Sequence, residues 1–153
     1  MGEVKAENLR VKALKEFVEE KEIKGFEIIE PKDDTKPTVF KGFLGIKGQR
    51  LPLAIIVDNT IYTILQVEVA RGLVSEENKE KMLELVNKYN VKYRMLTYTL
   101  INGVVLLSCS IPATNDHFEP ALFMVMIEQI EKHLNEVYSE IMATAWSKWV
   151  KLN

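Results

Sequence analysis

The chain carries two histidines, His117 and His133, which are the first residues to consider as sites of chemistry. A neutral imidazole binds zinc, and near neutral pH it also serves as a general acid or base. Neither histidine belongs to an H-E-x-x-H segment or to a group of closely spaced cysteine and histidine residues. The sequence therefore predicts no metal site and no catalytic histidine pair.

The remaining candidate nucleophile is Cys109, the single cysteine of the chain. It lies in an apolar run without a histidine or cation fixed beside it by the sequence, so we interpret it as a buried and unreactive thiol. Asp33, Asp34 and Asp58 are candidate acids, but each lies at a predicted turn, where aspartate is favoured because its side chain bonds to nearby backbone. We therefore predict no catalytic residues and a protein that is not an enzyme.

Glycines recur at every third position in residues 42–48, which read Gly-Phe-Leu-Gly-Ile-Lys-Gly. A phosphate-binding loop needs the G-x-G-x-x-G order and a following helix whose first N–H groups face the phosphate, and this segment has neither. We interpret it as a twisted or bulged strand, and we predict no cofactor.

Composition argues against nucleic acid and membranes as partners. The chain has 20 Lys and Arg against 22 Asp and Glu and a formal net charge of −2, so no basic surface is expected to attract phosphate groups. No apolar run is long enough to cross a bilayer. The N-terminal segment is acidic and lacks an apolar signal core, so we expect a cytoplasmic protein.

With 153 residues, 47% of them hydrophobic, the chain has the size of a single domain. Apolar residues at steps of three and four predict helices, and alternation of apolar and polar residues predicts strands. Asn102-Gly103 is the predicted turn of a hairpin, Ser75 the predicted N-cap of the middle helix, and Pro120 fits the first turn of the last helix. The predicted helices cover residues 3–24, 75–90 and 120–150, and the predicted strands cover residues 26–30, 38–46, 51–57, 60–70, 91–101 and 104–111.

This order predicts an α+β domain, in which an antiparallel sheet has helices packed on one face in the order α-β-β-β(-β)-α-β-β-α. The middle helix ending in Asn87-Lys88-Tyr89-Asn90, the Asn102-Gly103 hairpin, and Ser110-Ile111-Pro112 before a long C-terminal helix resemble the YbjN family. Members of that family are similar in fold to type III secretion chaperones. The resemblance implies a small, cytosolic, dimeric bacterial protein that binds other proteins, and it defines no catalytic residues.

The beginning of the last helix, residues 121–127, is apolar nearly all round, which predicts burial on more than one side. Methionines adapt to irregular contacts, and tryptophans are enriched at interface centres, although plain core packing explains these residues equally well. We predict a homodimeric protein-binding module, chaperone-like or adaptor-like, that docks a segment of another protein on a strand edge or beside the long helix. Its candidate contact residues are Tyr62, Gln66, Glu68, Met124, Trp146 and Trp149.

The alternative hypothesis is a small-molecule-binding or enzymatic α+β domain whose polar groups converge only in three dimensions. A closed pocket holding His117 with an acidic residue would favour that alternative. No residue spacing in the sequence identifies such a site.

Overall fold

A computed structural model describes residues 8–20, 25–33 and 36–146 of the chain. The described residues form three α-helices, six strands and a 3₁₀ turn at Asn115–His117, which confirms the predicted α+β class and the order of elements. The helices are α1 (Leu9–Glu20), α2 (Lys79–Lys92) and α3 (Pro120–Ala145), and the strands are β1 (Glu27–Ile29), β2 (Thr38–Ile46), β3 (Gln49–Val57), β4 (Tyr62–Arg71), β5 (Thr97–Ile101) and β6 (Val104–Pro112).

The strands form one antiparallel sheet in the order β1-β2-β3-β4-β6-β5. Strands β1 to β4 follow one another as neighbours, and the chain then passes through α2 to the far edge of the sheet as β5. The Asn102-Gly103 turn, with φ values of 51° and 77°, returns the chain as β6 between β5 and β4. Positive φ at both central residues is the geometry of a type I′ turn, which matches the twist of the flanking strands.

All three helices contribute to a single core on one face of the sheet. Alternate strand residues point to this face, and four of them form one rung across the sheet, Phe40–Ile55–Leu65–Cys109. None of the four is more than 4% exposed. The helices complete the same core with buried residues that include Val11 and Leu14 from α1, Met82 and Val86 from α2, and Ile130 and Leu134 from α3.

The buried face of α1 differs from the one that the apolar pattern predicts. Leu9 is exposed, whereas Arg10 is buried. The Arg10 guanidinium donates to Thr63 Oγ1 at 2.9 Å, to the Asp58 carbonyl at 2.6 Å and to the Thr60 carbonyl. Because these acceptors lie in the loop between β3 and β4 and in β4 itself, Arg10 fastens α1 to that end of the sheet.

The N-cap of α2 is Asn78 and not the predicted Ser75, and the Asn78 side chain makes no capping hydrogen bond to the helix. The helix begins at Lys79, and the side chain of buried Asn78 accepts a hydrogen bond from the Ser75 N–H at 2.8 Å. The same side chain donates to the carbonyls of Leu73 and Ala145 at 2.8 and 2.7 Å. Asn78 therefore joins the beginning of α2 to the end of α3.

The strand predicted over residues 91–101 is wrong in its first half. Helix α2 continues to Lys92, and β5 begins only at Thr97. The Asn90 side chain donates to the Tyr98 carbonyl at 2.9 Å and accepts from the Tyr98 N–H at 2.7 Å. This pair of hydrogen bonds holds the end of α2 beside β5, so the segment between them is a short connection.

Helix α3 begins at Pro120, as the sequence predicts, and extends through Ala145 within the described residues. At 26 residues and about 1.5 Å per residue it is about 39 Å long, and it packs on β2, β4, α1 and α2. Within this single chain, Phe123, Met126 and Ile127 are buried while Leu122 and Val125 are exposed, so the chain itself buries one side of residues 121–127 and burial of the other side by a partner stays a prediction. The predicted continuation to residue 150 falls outside the described residues.

Candidate functional site

The second face of the sheet, which we call the open face, is not covered by any described helix. Its side chains alternate with those of the core, so the rung next to Phe40–Ile55–Leu65–Cys109 is Lys41–Ala54–Gln66–Ser108. Lys41 is exposed, and Ala54, Gln66 and Ser108 are partly exposed. Hydrogen-bonded strands thus present a face of mixed polar and apolar groups to the solvent.

A concave region of the open face encloses about 590 Å³ over strands β1 to β4. Its apolar surface comes from Val39, Phe43, Pro52, Ala54 and Ile56, and its polar groups come from Glu27, Lys41, Gln66 and Glu68. We call it the open-face hollow. A concave, mainly apolar surface with a few polar groups at its margin is the usual form of a binding site.

The charged groups around the hollow pair with one another. Arg71 Nε donates to Glu68 Oε2 at 3.2 Å, and Arg71 Nη2 bonds to the other carboxylate oxygen. The hydrogen bonds from Arg71, together with the positive charges of Arg71 and Lys41, hold the pKa of Glu68 below its ordinary value despite partial burial. The carboxylate of Glu68 therefore stays ionised and fixed at neutral pH.

Phe43 is the largest apolar side chain of the hollow, and 56% of it is exposed. The guanidinium carbon of Arg50 lies 4.2 Å from the centre of its ring. A cation over an aromatic face is attracted to the ring, which holds Phe43 in place on the strand. Phe43 thus offers a fixed aromatic surface at the margin of the hollow.

Strand β2 has a backbone edge beside this aromatic ring. Strand β1 pairs with β2 only through Val39–Lys41. Lys47-Gly48 is a two-residue turn, so Ile46 and Gln49 form a hydrogen-bonded pair beside it. Hydrogen-bonded and non-hydrogen-bonded pairs alternate along an antiparallel ladder. Phe43 and Gly45 therefore belong to non-hydrogen-bonded pairs, and their N–H and C=O groups point away from β3. Within residues 8–20, 25–33 and 36–146, no backbone group bonds to that outer side. We call the outer side of Phe43 and Gly45 the free edge.

The six predicted contact residues do not form one surface. Tyr62, Gln66 and Glu68 share the open face of β4, where Gln66 and Glu68 line the hollow and Tyr62 lies near one end of the strand, opposite Pro112. Met124 is partly buried against the core, and Trp146 is the exposed C-cap of α3, so both belong to the helical layer. Trp149 lies outside the described residues.

The sequence predicts docking on a strand edge or beside the long helix, but it does not identify the edge of β2 or the contribution of Phe43. The relevant signal was the pair of glycines at 42 and 45 around an aromatic residue in a strand, which marks a place where another group can approach the backbone closely. A Cβ at Gly45 would have no atom within 4 Å, so the space above it is open.

The other chemical candidates have structural roles. Cys109 is buried, and burial raises the pKa of its thiol, which agrees with the prediction of an unreactive group. Asp58 accepts hydrogen bonds from the N–H and hydroxyl of Thr60, as expected of a turn residue. Asp34 lies outside the described residues, and among the described ones no group of His, Cys, Asp and Glu is arranged to hold a metal ion.

No protein-family model matches this chain, and no curated protein is significantly similar to it. Among the described helices, none is both long and apolar enough to cross a membrane. Any assignment of function therefore depends on the geometry of the open-face hollow, the free edge and the helical layer.

Proposed function

We propose that this protein is a non-enzymatic protein-binding module that adds an extended segment of another protein to the free edge of β2. The observation that carries the proposal is the position of the free edge directly beside the open-face hollow. A strand added to a sheet edge gains main-chain hydrogen bonds, and its alternate side chains enter neighbouring pockets. Here the added strand would bond to Phe43 and Gly45 and direct every second side chain over the hollow.

The chemistry around the edge specifies the kind of segment. Space is open above Gly45, so a large side chain of the partner strand fits beside the Phe43 ring. Glu27 and Glu68 stand against Lys41, Arg50 and Arg71, so charges of both signs are mixed and no large charge of one sign favours a strongly acidic or basic segment. The preferred partner is a nearly neutral strand with apolar or aromatic residues at alternate positions.

This function agrees with the resemblance to the YbjN family, which likewise implies protein binding in the cytoplasm. A second copy of the chain is another strand that fits the same edge, and the predicted homodimer remains part of the proposal. Analytical ultracentrifugation of the purified protein distinguishes the two occupants. A dimer that dissociates in the Gly45→Pro variant would identify the second copy as the occupant.

The direct test is selection of extended peptides from a displayed library, followed by calorimetric titration of the best peptide. In the native protein the peptide should shift the amide NMR signals of Phe43 and Gly45. Gly45→Pro should weaken binding at least tenfold, since proline removes the outward N–H and its ring blocks the approaching strand. The fold should survive, because the lost N–H does not bond to β3.

Gly45→Ala is the matched control, since alanine keeps the N–H and its Cβ meets no neighbouring atom. It should bind the peptide within about threefold of the native affinity. If a folded Gly45→Pro variant binds as tightly as Gly45→Ala, the strand-addition proposal is wrong. Failure to select any peptide that shifts Phe43 and Gly45 would also contradict it.

A further inference from the structure

A second hollow, on the helical side of the molecule, lies where the end of α2 meets the middle of α3. It encloses about 320 Å³. We call it the α2–α3 hollow, and its lining residues are Lys92, Tyr93, Arg94, Met95, Leu96, Gln129, Lys132, His133 and Glu136. His117, the histidine that the alternative hypothesis required, is not part of its wall.

His133 forms part of this wall, although only 6% of the residue is exposed. Its Nε2 lies 2.6 Å from the hydroxyl of buried Tyr98. Burial raises the pKa of Tyr98 and lowers the pKa of His133, so at neutral pH the phenol keeps its proton and the imidazole is uncharged. Among the described residues, Nε2 is the acceptor within reach of the Tyr98 hydroxyl, so we assign this hydroxyl as the donor and the ring proton of His133 to Nδ1.

The Nδ1 atom of His133 is buried and has no hydrogen-bond partner among the described residues. The ring of Tyr93 lies against the imidazole, edge to face, with the two centres 4.4 Å apart. Buried N–H groups nearly always have an acceptor, so a water molecule or a ligand atom is expected to accept the hydrogen bond of Nδ1. Tyr93 is only partly buried, and it forms part of the wall of the hollow beside His133.

The charges around the hollow favour an anion. Lys92, Arg94 and Lys132 are exposed, and none of them forms an ion pair with any described residue. Glu136 is the single carboxylate among the lining residues, so the lining carries more positive than negative charge. Leu96 and Met95 add apolar surface on one side.

We propose that the α2–α3 hollow binds a small molecule bearing a carboxylate or phosphate group. One oxygen of the anion accepts the Nδ1–H of His133, and the side chains of Arg94, Lys92 and Lys132 neutralise its charge. A short apolar portion of the ligand contacts Leu96 and Met95. This site is separate from strand addition at β2, because it lies on the helical layer and uses none of the open-face residues.

Long-range ¹H–¹⁵N NMR of histidine-labelled protein tests the proposal, with His117 as the internal reference. Inorganic phosphate and succinate are titrated separately at constant ionic strength, which is maintained with sodium chloride. The unliganded spectrum should show the proton of His133 on Nδ1. At least one of the two anions should then shift the His133 signals along a saturable curve and leave His117 unchanged, and the anion that does so identifies the ligand class.

The double variant Arg94→Gln/Lys132→Gln should weaken the binding of that anion at least fivefold. Both side chains are exposed, so the variant should keep the native fold. Lys81→Gln, which changes an exposed cation outside this hollow, is the matched control and should bind as the native protein does. The proposal is wrong if neither anion gives a saturable shift, if the proton resides on Nε2, or if the folded double variant binds as tightly as Lys81→Gln.

Discussion

Phe40 and Phe43 lie on the same strand, yet one is fully buried beneath the helices and the other is 56% exposed beside a hollow. The difference extends across the sheet, since the rung of Phe40 is apolar through four strands and the next rung contains Lys41, Gln66 and Ser108. One set of backbone hydrogen bonds thus supports two surfaces, because successive side chains of a strand point to opposite faces. The covered face stabilises the fold, and the open face is available for binding.

Among the substitutions proposed here, Phe40→Ala should cause the largest loss of stability. Phe40 is completely buried, so its truncation leaves a cavity in the core and should lower the free energy of unfolding by about 3–5 kcal/mol. Urea denaturation followed by circular dichroism measures this loss. A change below about 1 kcal/mol would mean that the helices do not cover β2 as described.

Arg10 should give the next largest effect, although it is a charged residue on the covered side. Arg10→Met removes the hydrogen bonds to Thr63, Asp58 and Thr60 and leaves the Thr60 carbonyl without its donor, whereas the Asp58 carbonyl keeps the hydrogen bond from Asn8 Nδ2. We expect a loss of about 2–3 kcal/mol, because hydrogen bonds from a charged donor contribute more than neutral ones.

Lys12→Met on the same helix is the matched control for Arg10. Lys12 is exposed and its ion pair with Glu16 is 4.0 Å long, so its substitution should change stability by less than about 0.5 kcal/mol. Thermal and urea denaturation of both variants provide the comparison. Equal effects of the two substitutions would show that Arg10 does not fasten α1 to the sheet.

The two faces also differ in how far the sequence predicts them. Alternation in β3 and β4 correctly predicts that Gln66 and Glu68 share a face, because strand periodicity is a local property. Residues 91–96 resemble a strand by composition, but the Tyr93 N–H bonds to the Tyr89 carbonyl at the end of α2, and the Tyr93 ring packs against His133 of α3. Tertiary contacts therefore override local propensity at that point.

The two hollows depend on contacts between distant parts of the chain. The free edge exists because β1 pairs with β2 only through Val39–Lys41 and leaves the outer sides of Phe43 and Gly45 without a strand partner among the described residues. The donor in the α2–α3 hollow exists because Tyr98 bonds to His133, which is far away in the sequence. The arrangement in the α2–α3 hollow has no spacing that a sequence pattern could detect, and at the free edge the sequence signal is the pair of glycines at 42 and 45.

The free energy of unfolding should also depend on pH through His133, and this effect should be smaller than those of Phe40→Ala and Arg10→Met. Burial lowers the pKa of this imidazole in the folded state below the ordinary value of 6.5, with Lys92 opposing protonation and Glu136 favouring it. Below about pH 6.5 the unfolded chain therefore binds a proton that the folded chain resists. Stability from this group is complete above pH 6.5 and should fall by at most about 1.4 kcal/mol per pH unit as the pH decreases.

This contribution is isolated by measuring the free energy of unfolding between pH 7.5 and pH 5.5, a range of about two units. The measurement compares the native protein with His133→Gln and His117→Gln. Other carboxylates titrate in all three proteins, so the difference in slope is the informative quantity. His133→Gln should show a shallower loss than the other two proteins. An identical slope in all three would mean that His133 is not held uncharged by burial.

At Phe43 a small effect on stability should accompany a large effect on binding. Phe43→Ala removes an exposed ring and its contact with Arg50, so the unfolding free energy should change by less than about 1 kcal/mol. Peptide binding at the free edge should nevertheless weaken at least tenfold, which corresponds to about 1.4 kcal/mol. Ile101→Ala is the control, because Ile101 is comparably exposed at the end of β5 and away from the hollow. If Phe43→Ala and Ile101→Ala bind the peptide equally well, the exposed aromatic ring of β2 does not participate in recognition, and main-chain pairing alone must account for the affinity.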